Sequence, residues 1–519
     1  MHRSVLLTAA VALLALSAPA AAPAQDLTVD DPVLRAIWQE GTQRGQVGRL
    51  GQVLMDSIGP RLAGTPNMKA ARDWLEQTYR GWGVTARQER YGTWKGWAPL
   101  AVHADLVAPR TQTLVAHLLA WSAGTPRPVE GAVVPLPVAA TRAEFDAWLP
   151  TARGKFVLTT PPEPMCRARQ ELEKFALPET VKWADSVRQA GRRAWAPRLA
   201  AFGGDPGDAL RALDSAGAAG VLSSNWSGGW GATRVFNGHT RRAVALDLSC
   251  EDYGLLARLA ANGQGPRLRV AAETRDLGEV PEFNVVAEMR GSEKPDEYVL
   301  LGAHLDSWHG ATGATDNGTG TVMMLEAARL LKAAYPNPRR TILIGHWGAE
   351  EQGLVGSGSF AEDHPEVVER LYASFNQDNG TWRIEEVQAY GFLDGIGHLA
   401  QWMARLPREL SGRLTLPAPG AMTNTGSDHS SFLCRGAPGF RLTSEYEEYR
   451  QYTWHTTLDT WDKVVQPEVQ ANAITAAMLA YLASEDPAPM GRDRALPPAG
   501  ARDGGAFPCF PPARSFRER

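Results

Sequence analysis

The stretch 301-LGAHLDSWHGATGATDNGTG-320 raises the fold and the site together. An apolar run, Val299 to Leu301, leads into a glycine-rich loop that carries His304, Asp306 and Asp316. TGTVMMLEAARLLKAAYP follows with a helical pattern that stops before Pro336, and RRTILIGHWGAEEQG returns as a second apolar strand. Upstream, PEFNVVAEMRG reads as another strand. Short apolar runs alternating with helices describe an α/β sheet buried on both faces. A histidine and two carboxylates at a strand's end are either a polar turn or part of a metal site. The second reading needs partners elsewhere in the chain.

Working outward, residues 25–105 also open as α/β. DSIGPRLAGTPNMKAARDWLEQTYRGWGVTARQERY reads as a loop, an amphipathic helix stopped near Gly81–Gly83, and a strand that runs to about Thr93. From 106 to 278 short apolar runs such as GAVVPLPV and KFVL alternate with turns, and Pro161 to Phe202, rich in Trp and Arg, reads as a surface insertion. No acid–base or metal cluster occurs there. This segment is expected to be a separate, mostly β domain inserted into the first. The α/β pattern resumes over 279–486 and closes with a helix near Val469–Ser484. The tail, 487–519, with many Pro, Gly and Arg residues, is expected to be disordered.

A length of 519 residues favours two domains, and a net charge of -4 gives no basic surface for nucleic acid. Residues 1–24 have a short basic start (His2, Arg3), an apolar run from Val5 to Leu16 and the small residues Ala22-Pro23-Ala24, the pattern of a secretory signal peptide. Spanning a bilayer takes about 20 apolar residues, and Pro19 interrupts this run. The chain is therefore expected to be periplasmic or secreted, without a membrane anchor. The four cysteines, Cys166, Cys250, Cys434 and Cys509, show no CxxC spacing; export permits pairing but leaves the partners open. The 17 tryptophans read as packing the insertion and the core rather than lining a peptide cleft.

Four further features supply partners for the opening stretch. GAEEQG places Glu350 and Glu351 at a strand's end, NQDNG carries Asp378, TGSDHSSF carries Asp428 and His429, and YTWHTTLDTWD offers His455 with Asp459 four residues on. Two zinc ions want nitrogen and oxygen ligands, a shared carboxylate and an open position for water. Asp316 suits the bridge, with His304 and Asp378 completing one metal and Glu351 and His455 the other. Glu350 stays free as a general base, and Asp306 is expected to accept from the second ring nitrogen of His304. His309 and His346 read as structural. There is no HExxH, and Gly356-Ser-Gly-Ser359 is no nucleophile elbow.

The set HLDSW…TDNGTG…GAEEQGLVGS…NQDNGT…TGSDHSSF…WHTTLDTWD resembles the M28 family of zinc metallopeptidases, most closely its carboxypeptidase Q group. The resemblance covers about Asp56–Thr93 and Val280–Ser484. It implies a mixed β-sheet flanked by helices, two zinc ions on the ligands just given, Glu350 as base and Asp306 behind His304. It also makes residues 106–278 similar to a protease-associated (PA) domain. One departure is Asn317, where the carboxypeptidase Q pattern has a second Asp. Peptides are the implied substrates, and a homodimer stays open. Tyr446, Tyr449, Tyr452 and His429 are candidates to hold an oxyanion. A carboxypeptidase or dipeptidase needs a cation for the substrate's carboxylate, for which Arg441 and Arg383 are candidates; an aminopeptidase of the same fold needs an acidic pocket instead. A one-zinc amidase or cyclase and a non-catalytic binding protein are the remaining rivals, and the complete ligand set argues against both.

Overall fold

A computed structural model describes residues 30–420, 426–495 and 509–516. The expected signal peptide, 1–24, lies outside the described residues. Seven strands build the sheet that carries the site: β1 (Thr85–Ala108), β2 (Arg267–Met289), β3 (Lys294–His304), β4 (Arg340–Trp347), β5 (Leu371–Gln377), β6 (Glu386–Gln388) and β7 (Gly439–Thr443). They lie in the order β6-β7-β5-β3-β4-β2, with β1 also paired to β2. β3, β4, β5 and β7 run parallel, whereas β1, β2 and β6 are antiparallel to their neighbours, so the sheet is mixed.

Alternation along the strands buries both faces. Val285, Val299, Leu301 and Ile344 face one core with the helices Pro66–Gly81, Thr319–Ala334 and Gln466–Glu485, while Val286, Leu300 and Leu343 face the other with Phe360 and Phe432. Gln466–Glu485 is buried from Ala473 to Ser484 without interruption, which suits a helix apolar on all sides. Pro66–Gly81 starts where the sequence says it should: Thr65 caps it by accepting from the Met68 N–H, and Pro66 occupies the first turn. Among the described residues no helix is long and apolar enough to cross a membrane.

Three expectations are corrected. The limits 105/106 and 278/279 fall inside β1 and β2, which pair from Thr85↔Glu288 to Ala108↔Arg267 and run from the site's sheet into the inserted region. The insertion is therefore not separate; it extends the same ladder, with Val129–Pro135 added to β2. Nor is it mostly β. Its short strands Phe156–Leu158, Gly220–Ser223 and Val244–Leu248 are accompanied by five helices, Arg142–Trp148, Arg169–Phe175, Pro178–Trp195, Pro206–Ala216 and Cys250–Ala261. The Trp- and Arg-rich stretch forms two of them, with Arg169–Glu173 and Arg167–Glu171 pairs one turn apart.

The tail is the third. Residues 509–516 are fastened to the body: Cys509 is bonded to Cys434, Arg514 pairs with Asp363 and Glu362, and Phe516 packs on Trp121 and Trp94. The second disulfide joins Cys166 to Cys250. Closing loops of 84 and 75 residues, each contributes about 4 kcal/mol in the chain-entropy account.

Candidate metal centre

Parallel pairing puts the C-terminal ends of β3, β4 and β5 on one edge of the sheet, where open α/β sheets form their sites. His304 ends β3, Glu350 and Glu351 follow β4, and Asp378 follows β5. Asp316 comes from the loop before Thr319–Ala334, and His455 from the segment after β7. His304 Nε2 lies 3.0 Å from Asp378 Oδ1 and 3.4 Å from Asp316 Oδ1. His455 Nε2 lies 2.9 Å from Glu351 Oε2 and 3.3 Å from Asp316 Oδ2. Two groups of three donors result, His304–Asp316–Asp378 and Asp316–Glu351–His455, each with its ligand atoms within 4.8 Å of one another. Asp316 gives one oxygen to each group.

The backbone is strained where the ligands leave it. Ala349 (φ 52°), Leu354 (φ 57°) and His455 (φ 60°) adopt left-handed conformations that non-glycine residues avoid. Ala349 and Leu354 bracket the Glu350–Glu351 turn, so both glutamates are presented at the sheet edge rather than continuing β4.

Carboxypeptidase Q of Rattus norvegicus is 27% identical over 440 residues, 84% of this chain and 84% of that protein. Residues 284–480, which hold all five candidate ligands, match Peptidase family M28. The chain carries a family M28 peptidase domain and is similar to carboxypeptidase Q. Its fold is that of the peptidase M28 precursor from Shewanella amazonensis SB2B (TM-score 0.64, 23% identity, 90% of this chain and 98% of that one). The zinc aminopeptidase BSAP from Bacillus subtilis shares it too (TM-score 0.56, 18% identity, covering 85% and 95%).

Around the M28 ligands a shell of buried partners fixes their directions, and one of them differs from expectation. His304 Nδ1 meets the backbone carbonyl of Asp306 at 3.0 Å; the Asp306 carboxylate is 3.7 Å away and accepts instead from the Glu350 and Glu351 N–H groups, at 3.0 and 3.3 Å. Asp306 thus pins the glutamate turn rather than the histidine ring. Asp459 does the same for the bridge, accepting from Thr315 N–H at 2.7 Å and Asp316 N–H at 3.0 Å. The Trp308 indole donates to Glu351 Oε2 at 2.8 Å. Asn317 uses both ends of its amide: Nδ2 donates to the Gln377 carbonyl and Oδ1 accepts from Gly320 N–H. An Asp could make only the second bond, so the departure from the family pattern gives a tie between the Asp316 loop and β5.

Arg61 was missed by the sequence argument. Wholly buried, it donates to the carbonyls of Gly59, Leu305, Thr312 and Gly313 and clamps both ends of the loop between His304 and Asp316. Burial lowers its pKa to about 10, against the pull of Asp459, Asp306 and Asp316, so it stays charged at neutral pH. Arg61→Met leaves four buried carbonyls without their donor and is expected to cost about 3 kcal/mol, read as the drop in unfolding free energy in urea; a loss under about 1 kcal/mol contradicts the clamp.

Electrostatically the centre is an excess of acid held out of water. Burial pushes Glu350 and Glu351 well above the usual carboxylate range. Burial also penalises Asp378, but His304 and then Arg441 outweigh it and hold that carboxyl low. His455 is lowered to about 4 by burial, which keeps its ring neutral, the form a metal takes. Among the described residues Asp316 Oδ2 and Glu351 Oε1 are buried with no hydrogen-bond partner. Carboxylate oxygens with lone pairs unused, converging with the neutral His455 ring and with His304, fit divalent cations.

The centre opens into a cavity of about 380 Å³ walled by Glu350, Arg441, Tyr446, Tyr449, Arg450 and Trp454. Arg383 is elsewhere, paired with Glu468. Tyr452 and His429 do not line the cavity; the His429 ring packs at a tilt against Tyr390. His346 and His309 bond to Tyr79 and to the Leu118 carbonyl, which suits structural roles.

Proposed function

We propose that this peptidase is exported, holds two zinc ions and removes residues from the carboxyl end of small peptides or splits dipeptides. Asp316, one oxygen facing each donor group, carries the two-ion reading. Bound zinc supplies a lowered pKa for water and polarisation of the scissile carbonyl. His304 and Asp378 would hold one ion and Glu351 and His455 the other, with Asp316 giving one oxygen to each group. Glu350 belongs to neither group and lines the cavity. Its carboxylate takes the proton of the attacking water and delivers it to the amine nitrogen as the C–N bond breaks.

The polarity is supported by Arg441 and Arg450 in the cavity wall, where a substrate carboxylate would sit; among the described lining residues the carboxylates are the ligands and Glu350, leaving none for a free amine. Export is supported by two disulfides, which form and persist in oxidising compartments. A PA-like character for 106–278 is supported by its parallel strands Phe156–Leu158, Gly220–Ser223 and Val244–Leu248 among helices.

Zinc-loaded protein is tested on three dipeptides, one blocked at the N-terminus, one at the C-terminus and one free. Cleavage of the N-blocked or the free substrate is expected. Cleavage of the C-blocked one alone reverses the polarity to aminopeptidase, and no cleavage with two zincs bound removes the peptidase mechanism.

A further inference from the structure

A second, larger cavity of about 630 Å³ adjoins the metal centre and shares Glu351, Gly353, Leu354 and Gly426 with the first. Aromatic rings line much of it, beside polar residues that include Asn237, Gln352 and Arg435. Trp94, Trp121 and Trp308 stand on one side, and Phe510 and Phe516 of the C-terminal segment complete it. Trp121 lies 6.2 Å from Trp308 and 4.9 Å from Phe516, and Trp94 lies 5.7 Å from Phe516. Among the described residues both amide atoms of Gln352 and the indole N–H groups of Trp94 and Trp121 are buried with no hydrogen-bond partner. A largely apolar concavity is the usual make-up of a ligand pocket.

The segment that closes this cavity is fastened along its length. Cys509 is bonded to Cys434, Thr93 N–H donates to the Arg514 carbonyl at 2.9 Å, and Phe516 N–H donates to the Thr93 carbonyl at 3.2 Å. Arg514 reaches Asp363 at 2.8 Å and Glu362 at 3.0 Å. Gly92 makes the approach feasible, because a β-carbon there would lie 2.2 Å from the Arg514 carbonyl oxygen. A strap held by a disulfide, two backbone bonds and ion pairs is a fixed wall.

We infer that this cavity is the subsite for the side chain of the residue that supplies the scissile carbonyl, and that the strap 509–516 makes it selective for aromatic and large aliphatic side chains. The inference rests on the peptidase function proposed above. Arg441 and Arg450 line the smaller cavity and not the aromatic one, so a peptide with its carboxylate on those arginines extends its other residue past Glu351 toward Trp308. Filling an apolar pocket with a phenyl ring instead of a methyl group is worth roughly tenfold or more in kcat/KM.

The test uses full-length, zinc-loaded protein and dipeptide pairs with the same leaving residue and Phe or Ala on the acyl side, in whichever blocked form is cleaved. Wild type is expected to prefer Phe by about tenfold or more, through KM, and the preference is expected to fall below about threefold in Phe516→Ala and in the double variant Cys434→Ser, Cys509→Ser. No preference in wild type, or a preference that survives in both variants, overturns the subsite while leaving the peptidase standing. Should wild type cleave neither substrate, the peptidase function fails on its own, and calorimetry with acetyl-phenylalaninamide against acetyl-alaninamide decides the subsite. Saturable binding of the first, lost in Phe516→Ala, upholds it, and its absence overturns it.

Discussion

Glu350→Gln is expected to lower kcat by about 10³-fold, with two zinc ions still bound and KM little changed. Gln has the same shape and still accepts hydrogen bonds, but it cannot carry a proton from water to the leaving amine. Glu350 is outside both donor groups. Its backbone, not its side chain, is what Asp306 holds, and that bond survives the substitution. The variant therefore separates proton transfer from metal binding. Loss of turnover and zinc in step, measured by steady-state kinetics and by metal analysis of the same preparation, contradicts the role assigned to Glu350.

His304, Glu351 and Asp378 were legible in the sequence because each stands at or just past the end of an apolar strand, and parallel strands bring such ends together without further instruction, whereas Asp316 and His455 come from loops and were read from their residue types. The helices were legible where periodicity, caps and stops agree, as in Pro66–Gly81 and Gln466–Glu485. What escaped depends on contacts between distant residues. Arg61 clamps a loop about 250 positions away, and no local pattern marks it. Asp306, two residues from His304, looks like the partner of its ring, yet the carboxylate turns to the next strand's loop and the backbone carbonyl takes the ring nitrogen. The domain limit at 105/106 rested on a change to short apolar runs and turns, but it falls inside one 24-residue strand whose ladder continues through irregularities near Gly92, Gly96 and Pro99. The tail was assigned by composition, whereas Cys509 was the signal that it is tied down. The tryptophans were assigned to packing, and Trp94, Trp121 and Trp308 are indeed buried in a core cluster, while they also line the larger cavity.

Asp316→Ala should be the most damaging change to the metal centre. Each donor group keeps two side chains, but the only one common to both is gone, so zinc content is expected to fall for both positions and activity by more than about 10³-fold. Asp378→Ala removes a donor from the His304 group alone, so it should retain one zinc, held by Asp316, Glu351 and His455. Stability gives an independent readout. Zinc at about a thousand times its dissociation constant stabilises the wild type by about 4 kcal/mol, a gain Asp316→Ala should lose. Without metal the two proteins should differ by less than about 1 kcal/mol, since removing one acid from a buried cluster that already contains Glu350, Glu351 and Asp378 relieves repulsion as it removes contacts with His304 and His455. Asp316 would not be the bridge if Asp316→Ala kept both zincs, or if it and Asp378→Ala lost the same number.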